Sequence, residues 1–131
     1  MKKIAVVDDD PDMITILNQM ITENISDVII INGTTGTDAY NIVTSEKPDA
    51  LLLDIMMPEL NGLEALDKIR SKGDAYFMNL PVIILTGSRN QSYETKTLSD
   101  RSTFYISKHY HDLKDVLYYL KLLLSTKNYK N

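Results

Sequence analysis

The chain is expected to be an α/β protein built on a doubly wound parallel sheet, and three features of the sequence carry that expectation. Short apolar runs alternate with stretches of helical periodicity, the pattern of strands joined by crossover helices. The central run, Ala50 to Leu53, is unbroken, too short for a buried helix and long enough for a strand covered on both faces. It runs directly into Asp54, and Pro58 with Asn61-Gly62 then turns the chain into a loop, so the carboxylate falls at the C-terminal rim of a strand. In open parallel sheets that rim is where ligands bind.

Length and composition narrow the class. The chain has 131 residues, 44% of them hydrophobic, enough for one domain with its own core; we place the domain at 1–125 and a short polar tail at 126–131. Cysteine is absent, which rules out disulfides and thiolate metal sites. Net charge is −4 with the basic residues scattered, against a nucleic-acid footprint. Lys2-Lys3 is followed by only Ile4 to Val7 before Asp8, too short for a signal peptide. No apolar run reaches membrane-spanning length, so no membrane partner and a cytoplasmic location are expected.

From the N-terminus, Lys3 to Val7 reads as the first strand and leads into Asp8, Asp9, Asp10, Pro11 and Asp12. Asp10 before Pro11 is a helix start, with a capping side chain followed by proline at the first helical position. Met13, Ile14, Leu17, Met20 and Ile21 form the stripe of that helix. Val28 to Ile31 is the second strand and Asn32-Gly33 a turn. The next helix carries Ala39, Ile42 and Val43 and ends near Lys47-Pro48. After the Asp54 strand, Leu63, Leu66 and Ile69 mark a third helix with Gly73 as its stop. Pro81 to Leu85 is the fourth strand, ending on Thr86-Gly87, and Thr103 to Ile106 a fifth, leading to Ser107-Lys108. Between them lies a fourth helix poor in apolar anchors, and Leu113, Val116, Leu117, Leu120 and Leu124 define the last. Five strands and five helices result.

The strand ends then gather chemistry at one rim: Asp8, Asp9, Asp54, Thr86 and Lys108. A cap role accounts for Asp10 but not for Asp8 and Asp9, where two like charges about 4 Å apart repel by roughly 4 kcal/mol at an effective dielectric of 20. Three carboxylates suit a hard cation that keeps several waters, Mg²⁺ rather than Zn²⁺. A hydroxyl and an ammonium from neighbouring strands are groups that hold the oxygens of a tetrahedral anion. With a carboxylate to attack in line, the set describes phosphoryl transfer.

These residues resemble the receiver domains of two-component response regulators. The likeness covers nearly the whole chain, through V-V-D-D-D-P at 6–11, L-L-L-D-I-M-M-P-E-L-N-G at 51–62, P-V-I-I-L-T-G at 81–87 and the late lysine. It implies a flavodoxin-like sheet of order 2-1-3-4-5. It also implies that Asp54 is the phosphoacceptor, taking its phosphoryl group from a histidine kinase or phosphotransfer protein. By the same resemblance Asp8, Asp9, Asp54 and the backbone carbonyl of Met56 hold Mg²⁺, and Thr86 and Lys108 bind phosphoryl oxygens. Tyr105 falls at the aromatic switch position, and Met56 and Ser88 where the family tunes dephosphorylation. The domain would not be an enzyme beyond its own phosphorylation and dephosphorylation.

Some positions depart from the family pattern. His109 follows Lys108 where proline is usual, and Arg101-Ser102 stands where Gly-Ala is common. Alternatives meet the same residues less well. A degenerate receiver acting as an unphosphorylated interaction module would not need every chemical position filled. A haloacid-dehalogenase-type hydrolase would use the D-x-D of Asp8 and Asp10, but Asp12 stands where it expects Thr or Val, and Asp54 would have no role. The chain stops soon after the last helix, so the output is expected to be contact with a downstream protein target or a separate output domain, with a homodimer also allowed. Tyr118 and Leu122, one turn apart and opposite the apolar stripe, are the partner-surface candidates, beside Tyr105.

Overall fold

The fold is that of a computed structural model, which describes residues 1–55, 57, 60–86, 102–107 and 113–128; of Thr86, Ser107, Leu113 and residues 126–128 it describes the backbone. The elements run β1 (Lys2–Val7), α1 (Pro11–Asn24), β2 (Val28–Gly33), α2 (Gly36–Glu46), β3 (Ala50–Asp54), α3 (Gly62–Arg70), α4 (Ala75–Asn79), β4 (Val82–Thr86), β5 (Thr103–Ser107) and α5 (Leu113–Asn128). All five strands are parallel, in the order β2-β1-β3-β4-β5. That is the doubly wound sheet expected from the sequence.

Side-chain alternation sorts the core into two layers. Ala5 and Val7 of β1, Leu51 and Leu53 of β3, and Val82 and Ile84 of β4 pack with Ala39 and Val43 of α2 and Leu66 and Ile69 of α3. Their neighbours Ile4, Val6, Ala50, Leu52, Ile83 and Leu85 face the other way, against Leu17 and Ile21 of α1 and Val116, Leu120 and Leu124 of α5. All five residues of β3 are buried, which is why its sequence is a continuous apolar run.

The helix starts follow local chemistry. Asp10 caps α1 by accepting from the Asp12 amide, with Pro11 at the first helical position. Thr35 caps α2. Asn61 and Glu64 form a reciprocal capping box on α3, each side chain accepting from the other's backbone amide.

Two sequence expectations need correction. Asn32 and Gly33 are not a turn; they continue β2, paired with Val6 and Val7 of β1. Gly33 is needed there for close approach, because an added Cβ would sit 2.7 Å from the Cβ of Asp38. Asn61 and Gly62 likewise are not loop but the cap and first residue of α3. The short helix α4, begun at Asp74 and burying Phe77, was not anticipated. The helix expected between Asn90 and Asp100 lies outside the described residues, as does the Lys108-His109 bond. No helix among the described residues is long and apolar enough to cross a membrane.

Candidate functional site

The parallel sheet delivers its strand ends to one rim. Register pairs Val7 with Leu53 and Asp54 with Leu85, so β1 and β3 release Asp8 and Asp54 at the same level, beside the end of β4. Carboxylate oxygens of Asp8, Asp9 and Asp54 all lie within 4.8 Å of one another. Asp8 and Asp54 are buried and Asp9 is exposed, so the cluster has two fixed members and one at the solvent edge.

Each buried acid is held by the backbone. Asp8 donates its amide to the Gly33 carbonyl at 3.1 Å, and its Oδ1 accepts from the Asp10 amide at 2.9 Å. Asp10 therefore serves α1 through its side chain and Asp8 through its backbone. Behind Asp54, Ile55 donates to the Leu85 carbonyl at 3.3 Å and accepts from the Gly62 amide at 3.0 Å. Gly62 packs so closely that an added Cβ would lie 2.3 Å from the Asp54 carbonyl oxygen. The N-terminus of α3 thus rests against the strand end that presents the carboxylate.

The donor set fits Mg²⁺. All are hard oxygen ligands, and one oxygen from each lies within 4.8 Å of the others, close enough for the three side chains to converge on one small ion. Three carboxylates this close, two of them buried, form a group that could hold a metal ion.

The remaining expected residues divide. The backbone of Thr86 ends β4 next to Ser107 of β5, at the same rim as Asp54. Tyr105 pairs with Ile84 and lies half-buried against the α2–α3 layer. Tyr118 is 63% and Leu122 44% exposed on α5, as their helical position implied. Met56, Ser88 and Lys108 lie outside the described residues.

Sequence reasoning missed the roles of two residues, one at this rim and one at the opposite end of the sheet. Gly62 was read as loop; the signal for its role was the Asn-x-x-Glu capping pattern that opens at Asn61. Arg70 was not singled out from the sequence; it binds the carbonyls of Phe77 and Leu80 and the hydroxyl of Thr103, where β4 and β5 begin.

Comparison with known proteins agrees with this geometry. Residues 4–119 match the family model described as "Response regulator receiver domain". The chain is 34% identical over 122 residues to the response regulator MprA of Mycobacterium avium (strain 104), covering 93% of this chain and 50% of that protein, and equally to MprA of Mycobacterium leprae (strain TN). It spans about half the length of the curated relatives it matches. Among solved structures, the CheY-like receiver domain protein of Methanospirillum hungatei JF-1 superposes with a TM-score of 0.86 at 21% identity, over 100% of this chain and 99% of that one. The BeF3-activated N-terminal receiver domain of Klebsiella pneumoniae RstA gives 0.78 at 27% identity, covering 94% and 98%. The chain belongs to the response regulator receiver domain family, whose members act in two-component signalling.

Proposed function

We infer that this receiver accepts a phosphoryl group on Asp54 from a phosphohistidine of a histidine kinase or phosphotransfer protein. A carboxylate oxygen of Asp54 attacks phosphorus in line as the P–N bond to imidazole breaks, and the leaving imidazole takes a proton from water. Asp8, Asp9 and Asp54, with the Met56 carbonyl, would hold Mg²⁺, which when bound offsets the negative charge of the transferring group. Thr86 and Lys108 bind the phosphoryl oxygens, Tyr105 responds to their movement, and Met56 and Ser88 set the lifetime of the acyl phosphate.

The single observation that supports this reading most is the convergence of the Asp8, Asp9 and Asp54 carboxylates at the end of β1 and β3. We assign the receiver unit to 1–125, with a polar end at 126–131 that begins inside the last turn of α5. We place its action in the cytoplasm, with output through a downstream protein, an output domain or a second copy meeting the face that carries Tyr105, Tyr118 and Leu122.

Intact-mass measurement with Mg²⁺ and a small phosphodonor tests the assignment. One phosphoryl addition is expected, absent in Asp54→Asn and without divalent metal. Addition that persists in Asp54→Asn would overturn it.

A further inference from the structure

The segment from Gly33 to Asp38, where β2 passes into α2, reaches the backbone behind both buried acids of the rim. On one side the Gly33 carbonyl accepts from the Asp8 amide at 3.1 Å. On the other, Gly36, the first residue of α2, lies against Leu60: an added Cβ would stand 2.1 Å from the Leu60 carbonyl oxygen and 2.8 Å from its carbon. That is more than an ångström short of ordinary van der Waals contact, so only glycine lets the two backbones meet. Leu60 stands two residues before Gly62, whose amide donates to the Ile55 carbonyl at 3.0 Å and whose backbone packs on the Asp54 carbonyl. A shift at the start of α2 therefore reaches Asp54 through Leu60 and Gly62.

The segment is locked on itself. The Asp38 carboxylate accepts from the Thr34 amide at 2.9 Å and from the Thr34 hydroxyl at 3.3 Å. The Thr35 hydroxyl accepts from the Asp38 amide and the Thr35 carbonyl from the Ala39 amide, both at 3.0 Å. Gly33 is held close to the same residue, since a Cβ there would meet the Asp38 Cβ. Opposite Gly36, the Leu60 side chain is half-buried against the α2–α3 layer, so neither partner of the contact is loose. Among the described residues the carboxylate cluster comprises Asp8, Asp9 and Asp54, so the segment bears on the cluster through backbone contacts and adds no ligand to it.

We propose that Gly36 is a positioning residue for the carboxylate cluster: the self-locked start of α2 is a stop against which Leu60 rests, and it sets the spacing between Asp8 and Asp54. The inference rests on the reading that these acids hold Mg²⁺. That ion demands near-ideal octahedral geometry, so a small displacement of one ligand is felt as lost affinity. Groups that orient metal ligands without touching the metal are worth about tenfold or more in affinity. A methyl group at position 36 forces either Leu60 and Gly62 away from α2, moving the Asp54 strand end, or α2 away from Leu60, moving Gly33 and with it Asp8. Both outcomes change the same spacing.

The experiment titrates the isotopically labelled full chain with MgCl₂, with no phosphodonor, and follows the amides of Asp8, Asp9 and Ile55 by NMR. Gly36→Ala should bind Mg²⁺ about tenfold more weakly than the parent. Val43→Ala is the control: it truncates a buried side chain two turns further along α2, lowering stability without altering the contact with Leu60, and should keep the parent's affinity. Thr35→Ala removes the cap that fixes Gly36 without adding bulk and should weaken binding by a smaller factor, which Thr35→Ser should restore. Parent-like affinity in Gly36→Ala, or equal weakening in Val43→Ala, would overturn the proposal. Should Gly36→Ala fail to fold, the Thr35 variants decide, and parent-like affinity in Thr35→Ala overturns it. A parent without saturable shifts at Asp8 and Asp9 would overturn the metal reading itself, a result distinct from a parent and variants that bind alike.

Discussion

Arg70 donates from Nη2 to the hydroxyl of Thr103 at 2.9 Å, tying the last residue of α3 to the first residue of β5. Its other nitrogen donates to the carbonyls of Phe77 and Leu80 at 2.9 and 2.8 Å, so one planar group holds α3, α4, the entry to β4 and β5 together. Lysine has the charge without the fork. Arg70→Lys should therefore lower stability by about 2–3 kcal/mol, seen as a lower urea midpoint at unchanged slope. A change within error would mean that water satisfies those carbonyls as well.

The contact between Gly62 and Asp54 gives a second expectation. A Cβ at 62 would stand 2.3 Å from the Asp54 carbonyl oxygen, so Gly62→Ala must displace α3 or the strand end, at a cost of about 2 kcal/mol or more. Phosphorylation by a small phosphodonor should slow. Gly73→Ala is the control: that glycine has φ +84° with nothing near its Cβ position, so the cost is local strain of about 1 kcal/mol and the reaction rate should stay unchanged.

Charge repulsion at the rim should be measurable without any phosphodonor. In chelator, Asp9→Asn relieves like-charge contact with Asp8 and Asp54 and should stabilise the fold, by up to about 1 kcal/mol given its exposure. Adding Mg²⁺ should raise the melting temperature of the parent more than that of the variant, closing or reversing the gap. Equal metal response in the two proteins would remove Asp9 from the metal site.

Acid stability should carry a signature of Asp38. Hydrogen bonds from the Thr34 amide lead the causes that lower its pKa from the ordinary 3.8, so the folded state binds its proton less readily than the unfolded state. The resulting stabilisation is present above about 3.8 and fades as pH falls from there through the folded pKa. Asp38→Asn should be less stable than the parent at neutral pH, and urea titrations toward pH 3 should show the difference shrinking. A difference that holds constant with pH would mean that the ionised form adds nothing.

On α5, Tyr118 and Leu122 should tolerate replacement by serine with stability held within about 0.5 kcal/mol, because both side chains are exposed. Sedimentation of the double variant should show weaker self-association, or a kinase or target should bind it less tightly. Strong destabilisation would instead make them packing residues.

What was legible in the sequence follows from how local each signal is. β1, β3 and β4 announce themselves because strands buried on both faces read as continuous apolar runs, and Asp10-Pro11 marks the start of α1 within two residues. The carboxylate cluster is legible because a parallel sheet sends successive strand ends to the same rim. Asn32-Gly33 misled because the pair ordinarily signals a turn, and only pairing with β1 and the neighbouring Asp38 reveal why glycine is there. The five residues of α4 are too few for a periodic pattern. Arg70 has no sequence signature, since its partners come from other elements and no periodicity records them.

Because consecutive residues of β1 and β3 face opposite layers, neighbours in the chain are independent in their energetics, while distant residues are coupled. Val6 and Val7 feed different cores, so truncating both to alanine should cost close to the sum of the single losses. Leu53 of β3 and Ile69 of α3 share one core, and truncating that pair should depart from the sum as the remaining side chains relax into a common void. The sheet thus acts as a partition: damage on one side stays there, and substitutions accumulated in the α1–α5 layer need no compensation in the layer of α2 and α3.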